Sequence, residues 1–376
     1  MIPLSLYIHF PWCVKKCPYC DFNSHTLKEP LPEDAYVEAL LLNLTQTLSW
    51  SHSRSIISIF MGGGTPSLFS AGAIDKLLQG IRKILPWQKN IEITLEANPG
   101  TVEQQRFKEY REIGINRLSL GIQSFNDRHL TALGRIHDAQ NAFDAVNTVK
   151  RVGFTNFNLD LMFGLPDQTM NEALQDLTHA IDLQPMHLSW YELTIEPNTA
   201  FWHKPPALPA NDWLADLQLQ GQALLAQHGF KQYEVSAYTR GHPCYHNVNY
   251  WEFGDYLAIG AGSHGKITTG EQQIMRYHHF RHPKQYMDIS QGFIQEKQLV
   301  APDQLAFEYL LNALRLTDGV PLSAFAQRTG LSLDTLMPQL QVAQQKGWCE
   351  TGSDQIKATP LGYLFLNDVV SLFLPA

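Results

Sequence analysis

Apolar residues in the first 230 positions alternate between two kinds of run. Leu4–His9, Ile56–Met61, Ile91–Glu96, Arg117–Gly121, Asn156–Met162 and His187–Thr194 are short and read as strands. Between them apolar residues recur at helical spacing, as at Tyr36, Leu40, Leu41 and Leu44, and again at Ile74, Leu77, Leu78 and Ile81. Thr101-Val102-Glu103-Gln104 and Thr169-Met170-Asn171-Glu172 have the pattern of capping boxes. Strand–helix units in succession predict a parallel sheet with right-handed crossovers. Six strands are too few for a closed eight-stranded barrel, so the expected fold is α/β, an open partial (β/α)6 barrel over residues 1–230.

The pattern changes twice further on. After a Pro-rich stretch at 205–209, a helix is expected from Asp212 to His228 and an added strand over Gln232–Thr239. The connecting region expected across the barrel mouth is 231–297; from 240 to 297 it has weak periodicity, many Gly and aromatic residues and a concentration of His. Residues 298–376 predict helices at Gln304–Leu316, Ser323–Thr329 and Ser332–Lys346. A hairpin about Gly352-Ser353-Asp354 and a last helix from Leu361 follow, the outline of a winged helix. Charge argues against DNA binding and for a packing or partner domain. Residues 331–376 hold two bases, Lys346 and Lys357, against four acids, Asp334, Glu350, Asp354 and Asp368.

Composition agrees. The chain of 376 residues is 44% hydrophobic and 17% charged, with net charge −8, which argues against broad nucleic-acid binding. No apolar run is long enough to span a membrane, and Met1-Ile2-Pro3-Leu4 lacks a signal-peptide pattern, so a cytoplasmic protein is expected. Five Cys, three of them bunched, make no disulfide framework.

The bunched thiols are Cys13, Cys17 and Cys20, a C-x3-C-x2-C motif just after the first strand. Iron–sulfur clusters are normally held by four Cys. Three would leave one iron of a 4Fe–4S cluster open to an outside molecule. The alternative is zinc, which wants four ligands; His9 or His25 would have to supply one. The thiol pattern resembles the radical S-adenosylmethionine (SAM) superfamily. That resemblance implies a 4Fe–4S cluster on Cys13, Cys17 and Cys20, with SAM on the open iron. It also implies that Gly62-Gly63-Gly64-Thr65 pairs its backbone with the amino group of SAM. Tyr7 and Phe22 flank the cluster loop, with Phe22 placed to pack near adenine. SAM carries a sulfonium, an amino group, a carboxylate and hydroxyls, so its site needs acceptors and one cation. Glu96, Gln123, Arg135 and Asp160 supply that set, and Arg135 can clamp a carboxylate.

Longer motifs narrow the family. Tyr7-Ile8-His9-Phe10-Pro11-Trp12-Cys13, Glu96-Ala97-Asn98-Pro99-Gly100, Gly121-Ile122-Gln123-Ser124-Phe125 and Asn158-Leu159-Asp160-Leu161-Met162 resemble the oxygen-independent coproporphyrinogen III oxidase family over nearly the whole chain. Two departures matter. The oxidases have a further Cys where Phe22 stands, and a longer N-terminal extension. Both departures, with His246-Asn247-Val248-Asn249-Tyr250-Trp251, resemble the heme-chaperone branch of that family. The resemblance implies a protein that binds heme and passes it to acceptor hemoproteins, supported by the cluster, SAM and a reductant protein, without oxidase activity. The rival is radical-SAM decarboxylation of coproporphyrinogen III; a radical enzyme with another substrate is a third reading. His246 is the candidate heme ligand, since imidazole commonly ligates heme iron. Cys244 and the histidines at 278, 279 and 282 are its competitors.

Overall fold

The computed structural model describes residues 2–352 and 354–375. Six strands of the expected series are present: β1 (Leu4–Phe10), β2 (Ile56–Gly63), β3 (Trp87–Ala97), β4 (Arg117–Gln123), β5 (Phe157–Phe163) and β6 (His187–Glu192). They are parallel neighbours in chain order. The outer row of each strand is apolar and buried, as with Leu4, Leu6, Ile8 and Phe10 of β1. The inner row is polar: Ser5 and His9 on β1, Glu92 and Glu96 on β3, Asn158 and Asp160 on β5. A strand of period two can serve both an apolar shell and a polar interior.

The helices cover the apolar side. They are α1 (Glu33–Thr47), α2 (Ala71–Ile84), α3 (Thr101–Glu112), α4 (Asp127–Ala132), α5 (Ala139–Arg151), α6 (Met170–Asp182), α7 (Ala200–His203) and α8 (Asn211–Gln227). The stripe Ile74, Leu77, Leu78 and Ile81 of α2 is buried, each side chain contributing ~1.5–3 kcal/mol by leaving water. The box at Thr169 forms, Thr169 and Glu172 capping each other's backbone N–H. The box expected at Thr101 does not start there, because Gly100 is the N-cap of α3; the Thr101 side chain lies outside the described residues.

Residues 231–299 differ from expectation. β7 (Lys231–Glu234) and β8 (Ala237–Thr239) form a hairpin on the β6 edge. Helix α9 (Tyr245–Trp251) follows. Then β9 (Asp255–Ile259) pairs parallel with β1, and β10 (His264–Thr268), β11 (Ile274–His279) and β12 (Ile294–Leu299) continue antiparallel, with α10 (Pro283–Tyr286) before β12. The expected connection across the mouth is therefore part of one twelve-stranded sheet, in the order β12-β11-β10-β9-β1-β2-β3-β4-β5-β6-β8-β7. Its strands escaped the pattern because they are short and interrupted by Gly260, Gly262 and Gly265. The outer strand β12 is almost wholly exposed and polar, as suits a sheet edge. The order leaves β12 and β7 at the ends, so the barrel stays open.

The C-terminal unit has its own core about Tyr309, Leu310, Phe325, Leu340 and Ile356. It contains α11 (Leu305–Ala313), α12 (Leu322–Thr329) and α13 (Met337–Gln345), with a small sheet of β13 (Val320–Pro321), β14 (Cys349–Thr351) and β15 (Gln355–Ala358). This is the winged-helix outline; Ser353 in the expected hairpin turn lies outside the described residues. Among the described residues, no helix is long and apolar enough to cross a membrane.

Candidate functional site at the strand ends

The C-terminal ends of β1–β6 surround a cavity of about 480 Å³, the size class of a cofactor or drug-sized ligand. Its lining includes Cys13, Cys17, Cys20, Phe22, Gly63, Gly64, Thr65, Glu96, Gln123, Arg135 and Asp160. Residues separated by more than 140 positions thus meet, because successive parallel strands end on the same side of the sheet.

The thiol loop is held from several directions. A two-residue parallel ladder joins Trp12–Cys13 to His25–Thr26. Gly64 N–H donates to Phe10 O and Thr65 N–H to Trp12 O, each at 2.7 Å. Gly63 has φ +107°, and a Cβ there would lie 2.3 Å from the His9 ring; only glycine fits. Hydrogen bonds then link two of the thiols. Thr65 Oγ1 donates to Cys13 Sγ at 3.6 Å, Asn98 Nδ2 to Thr65 Oγ1 at 3.0 Å, Arg135 Nη2 to Asn98 Oδ1 at 2.5 Å, and Arg135 Nη1 to Cys17 Sγ at 3.6 Å. Arg135 Nη2 also reaches Gly121 O at 2.8 Å, while its buried Nε has no partner among the described residues.

The thiols suit a cluster. All three face one cavity. Both candidate zinc imidazoles are engaged. His9 Nδ1 pairs with Tyr7 OH at 3.0 Å and its Nε2 with Asn23 O at 2.9 Å; His25 Nε2 meets Arg281 O at 3.3 Å. Burial pushes the Cys13 and Cys20 thiols up, so iron loading must displace their protons.

The acceptors lie across the cavity. Burial, reinforced by the charge of Asp160, pushes Glu96 up to about 8. Glu96 Oε2 accepts from Gly63 N–H at 3.2 Å. Asp160, also raised by burial, accepts from Ser119 Oγ at 3.0 Å and Asn158 Nδ2 at 2.8 Å. Gln123 sits at φ +69°, rare for a residue with a side chain, and its Oε1 accepts from Tyr191 OH at 2.8 Å. Strained backbone of this kind clusters at ligand sites.

Two candidates are not in the cavity lining. Tyr7 packs on Phe60 and His246, with its hydroxyl on His9. His246 is 1% exposed on α9. Its Nδ1 pairs with Ser58 Oγ at 3.0 Å and its Nε2 with Tyr250 OH at 2.9 Å. Its ring stacks on Phe60, and burial holds it down at about 3. In this arrangement both ring nitrogens are engaged and the imidazole is closed off from solvent. Cys244 is likewise buried, its thiol near Glu92 Oε1 at 3.4 Å and pushed up to about 12 by burial. The sequence reading missed Asn98, Tyr19, Tyr191 and Ser119 as site residues. Asn98 and Tyr19 stand inside motifs already noted and Tyr191 closes the last strand of the series, so a signal for each was present; Ser119, within the fourth strand, had none.

Comparison with known proteins agrees with this geometry. The model of the radical SAM superfamily matches residues 7–180, and that of the HemN C-terminal domain matches residues 300–365. The Haemophilus influenzae protein named heme chaperone HemW is 51% identical, the match covering 99% of this chain and 98% of the relative. The chain belongs to the HemW family. The Escherichia coli HemW is 49% identical over the same shares, and the Bacillus subtilis HemW is 33% identical over 98% of this chain and 99% of its own. Coproporphyrinogen III oxidase (HemN) from E. coli, described as a radical SAM enzyme, superposes with TM-score 0.83, covering 99% of this chain and 90% of its own. At 23% identity that likeness establishes the fold alone. Membership in the HemW family of radical SAM proteins brings the 4Fe–4S cluster and SAM as cofactors, and the thiol set and cavity fit both.

Proposed function

We propose that the chain is a cytoplasmic heme chaperone that binds heme and transfers it to acceptor hemoproteins. The observation that carries this reading is near-full-length similarity to proteins named heme chaperones, with Phe22 where the oxidases resembled by the sequence have a further Cys. Cys13, Cys17 and Cys20 would hold three irons of the cluster. The backbone of Gly63, Gly64 and Thr65, the acceptors Glu96, Gln123 and Asp160, and the cation of Arg135 would hold SAM, with Phe22 at the cavity rim. When bound, the cluster and SAM supply one-electron chemistry, drawing on a reductant protein. The chain's own residues hold the thiol loop in register, keep Glu96 protonated until a cation arrives, and orient Arg135 through Asn98.

Anaerobically reconstituted protein with SAM and reductant tests the reading. Heme should pass to an apo-hemoprotein, read by its absorbance, with no decarboxylated product from coproporphyrinogen III. Protoporphyrinogen formed at useful turnover would instead favour the oxidase reading.

A further inference from the structure

A second group of imidazoles lies outside the cavity, on the inner face of the sheet extension. His264 on β10 and His278 on β11 are cross-strand partners. Their ring centroids are 5.2 Å apart and their planes inclined by 27°. His278 is tethered through Nε2 to Glu296 Oε2 on β12 at 3.1 Å. His264 is exposed, and beyond the stack neither of its ring nitrogens has a hydrogen-bond partner among the described residues. Partial burial and the neighbouring His278 lower its proton affinity, which favours the neutral imidazole that binds metals.

Its surroundings suit an iron porphyrin. Arg281 is exposed, has no ion-pair partner among the described residues, and lies close enough for its charge to act on His264. The cluster loop docks at the same place. Asn23 Nδ2 donates to Ala261 O at 2.9 Å and to Arg281 O at 2.8 Å. Gly262 has φ +77°, and a Cβ there would meet Asn23 Nδ2 at 2.2 Å. Phe22, next in sequence to Asn23, is 57% exposed and offers a flat apolar ring. His282 and His242 are exposed too, but His282 Nδ1 accepts from Lys284 N–H, and His242 lies beside Tyr245 at the opposite end of the barrel.

We propose that His264 is the axial ligand to heme iron, with His278 as the positioning residue that stacks on it and Arg281 as the cation for a propionate. The inference rests on the heme-chaperone reading and deepens it by placing the cargo against the loop that carries Cys20. An exposed ligand beside that loop is open to an acceptor protein and to changes at the cluster.

Heme titration of the cluster-containing protein, followed as Soret difference spectra, tests the assignment. His264→Ala should weaken binding roughly tenfold or more, and added imidazole should restore the wild-type spectrum. His264→Met should shift the Soret position, since a thioether replaces the imidazole. His278→Ala should weaken binding with the ligand spectrum unchanged, and His278→Phe, which keeps a flat ring on His264, should recover it. His242→Ala should match wild type. Wild-type Soret position and affinity in His264→Ala would overturn the assignment and leave the chaperone reading standing. Absence of heme binding by the wild-type protein would remove both.

Discussion

The mouth and the floor of the same barrel use similar residue types to opposite ends. At the mouth, Cys13, Cys17, Glu96 and Arg135 border a cavity and keep bonding capacity to spare: thiols facing the cavity, a carboxyl holding a proton, a guanidinium whose Nε has no partner among the described residues. At the floor, His246 spends both ring nitrogens, Nδ1 on Ser58 Oγ at 3.0 Å and Nε2 on Tyr250 OH at 2.9 Å. Polar side chains with unmet bonding capacity mark a site; polar side chains with every bond made mark a joint. Residue type alone does not separate the two.

The largest contrast should come from the thiols. Replacing Cys13, Cys17 and Cys20 together by Ala should abolish iron and sulfide content, while the melting temperature of the metal-free protein changes little. His246→Ala should do the reverse. It leaves Tyr250 OH without a partner and Ser58 Oγ with Ser5 alone, and opens a cavity in the interior, so about 2–4 kcal/mol of stability should be lost in urea unfolding. Heme affinity of the folded fraction should stay at the wild-type value, and a selective loss of heme with unchanged stability would return His246 to the mouth's category.

A smaller effect separates backbone from side chain at the mouth. Gly63→Ala forces a Cβ onto His9 at positive φ, and SAM affinity measured by calorimetry should fall by roughly tenfold with the cluster retained. Equal affinity would show that the loop has room to shift.

The smallest effect is in pH dependence, where the buried histidines and the Glu96 carboxyl have opposite signs. Burial holds His246 at about 3 and His9, His137 and His279 at about 4 in the folded state. The unfolded chain binds more protons between about 4 and 6.5, so these groups make stability rise with pH across that window and fall on acidification. Glu96, raised to about 8, acts the other way: the folded state binds more protons between about 4.5 and 8, and stability is lost as pH rises through it. Unfolding free energies between pH 4 and 8 should show a rise followed by a shallower decline. In Glu96→Gln the decline should flatten while the rise remains.

The same contrast explains what the sequence could convey. The six strand positions were legible because each carries a local apolar row, and the mouth was legible because parallel topology gathers strand ends in chain order. Nothing in the sequence marks Tyr7 and His246 as standing apart from the cavity lining, because their partners are remote. Ser58 lies 188 positions before His246, and nothing in the motif at 246–251 announces a buried helix. β9–β12 were missed because β9 reads as a strand only beside β1, and β12 has scarcely a buried side to produce a pattern.

Leu4 pairs with Asp255 on one side and with Ile56 on the other. During synthesis the first strand therefore gains one neighbour early and the second only after most of the chain has been made, a delay on the order of tens of seconds at ordinary elongation rates. Throughout that interval β1 presents a bare hydrogen-bonding edge close to the three thiols. The sheet can close around β1 only when β9 arrives, so its completion waits on the order in which the ribosome delivers two ends of one sheet.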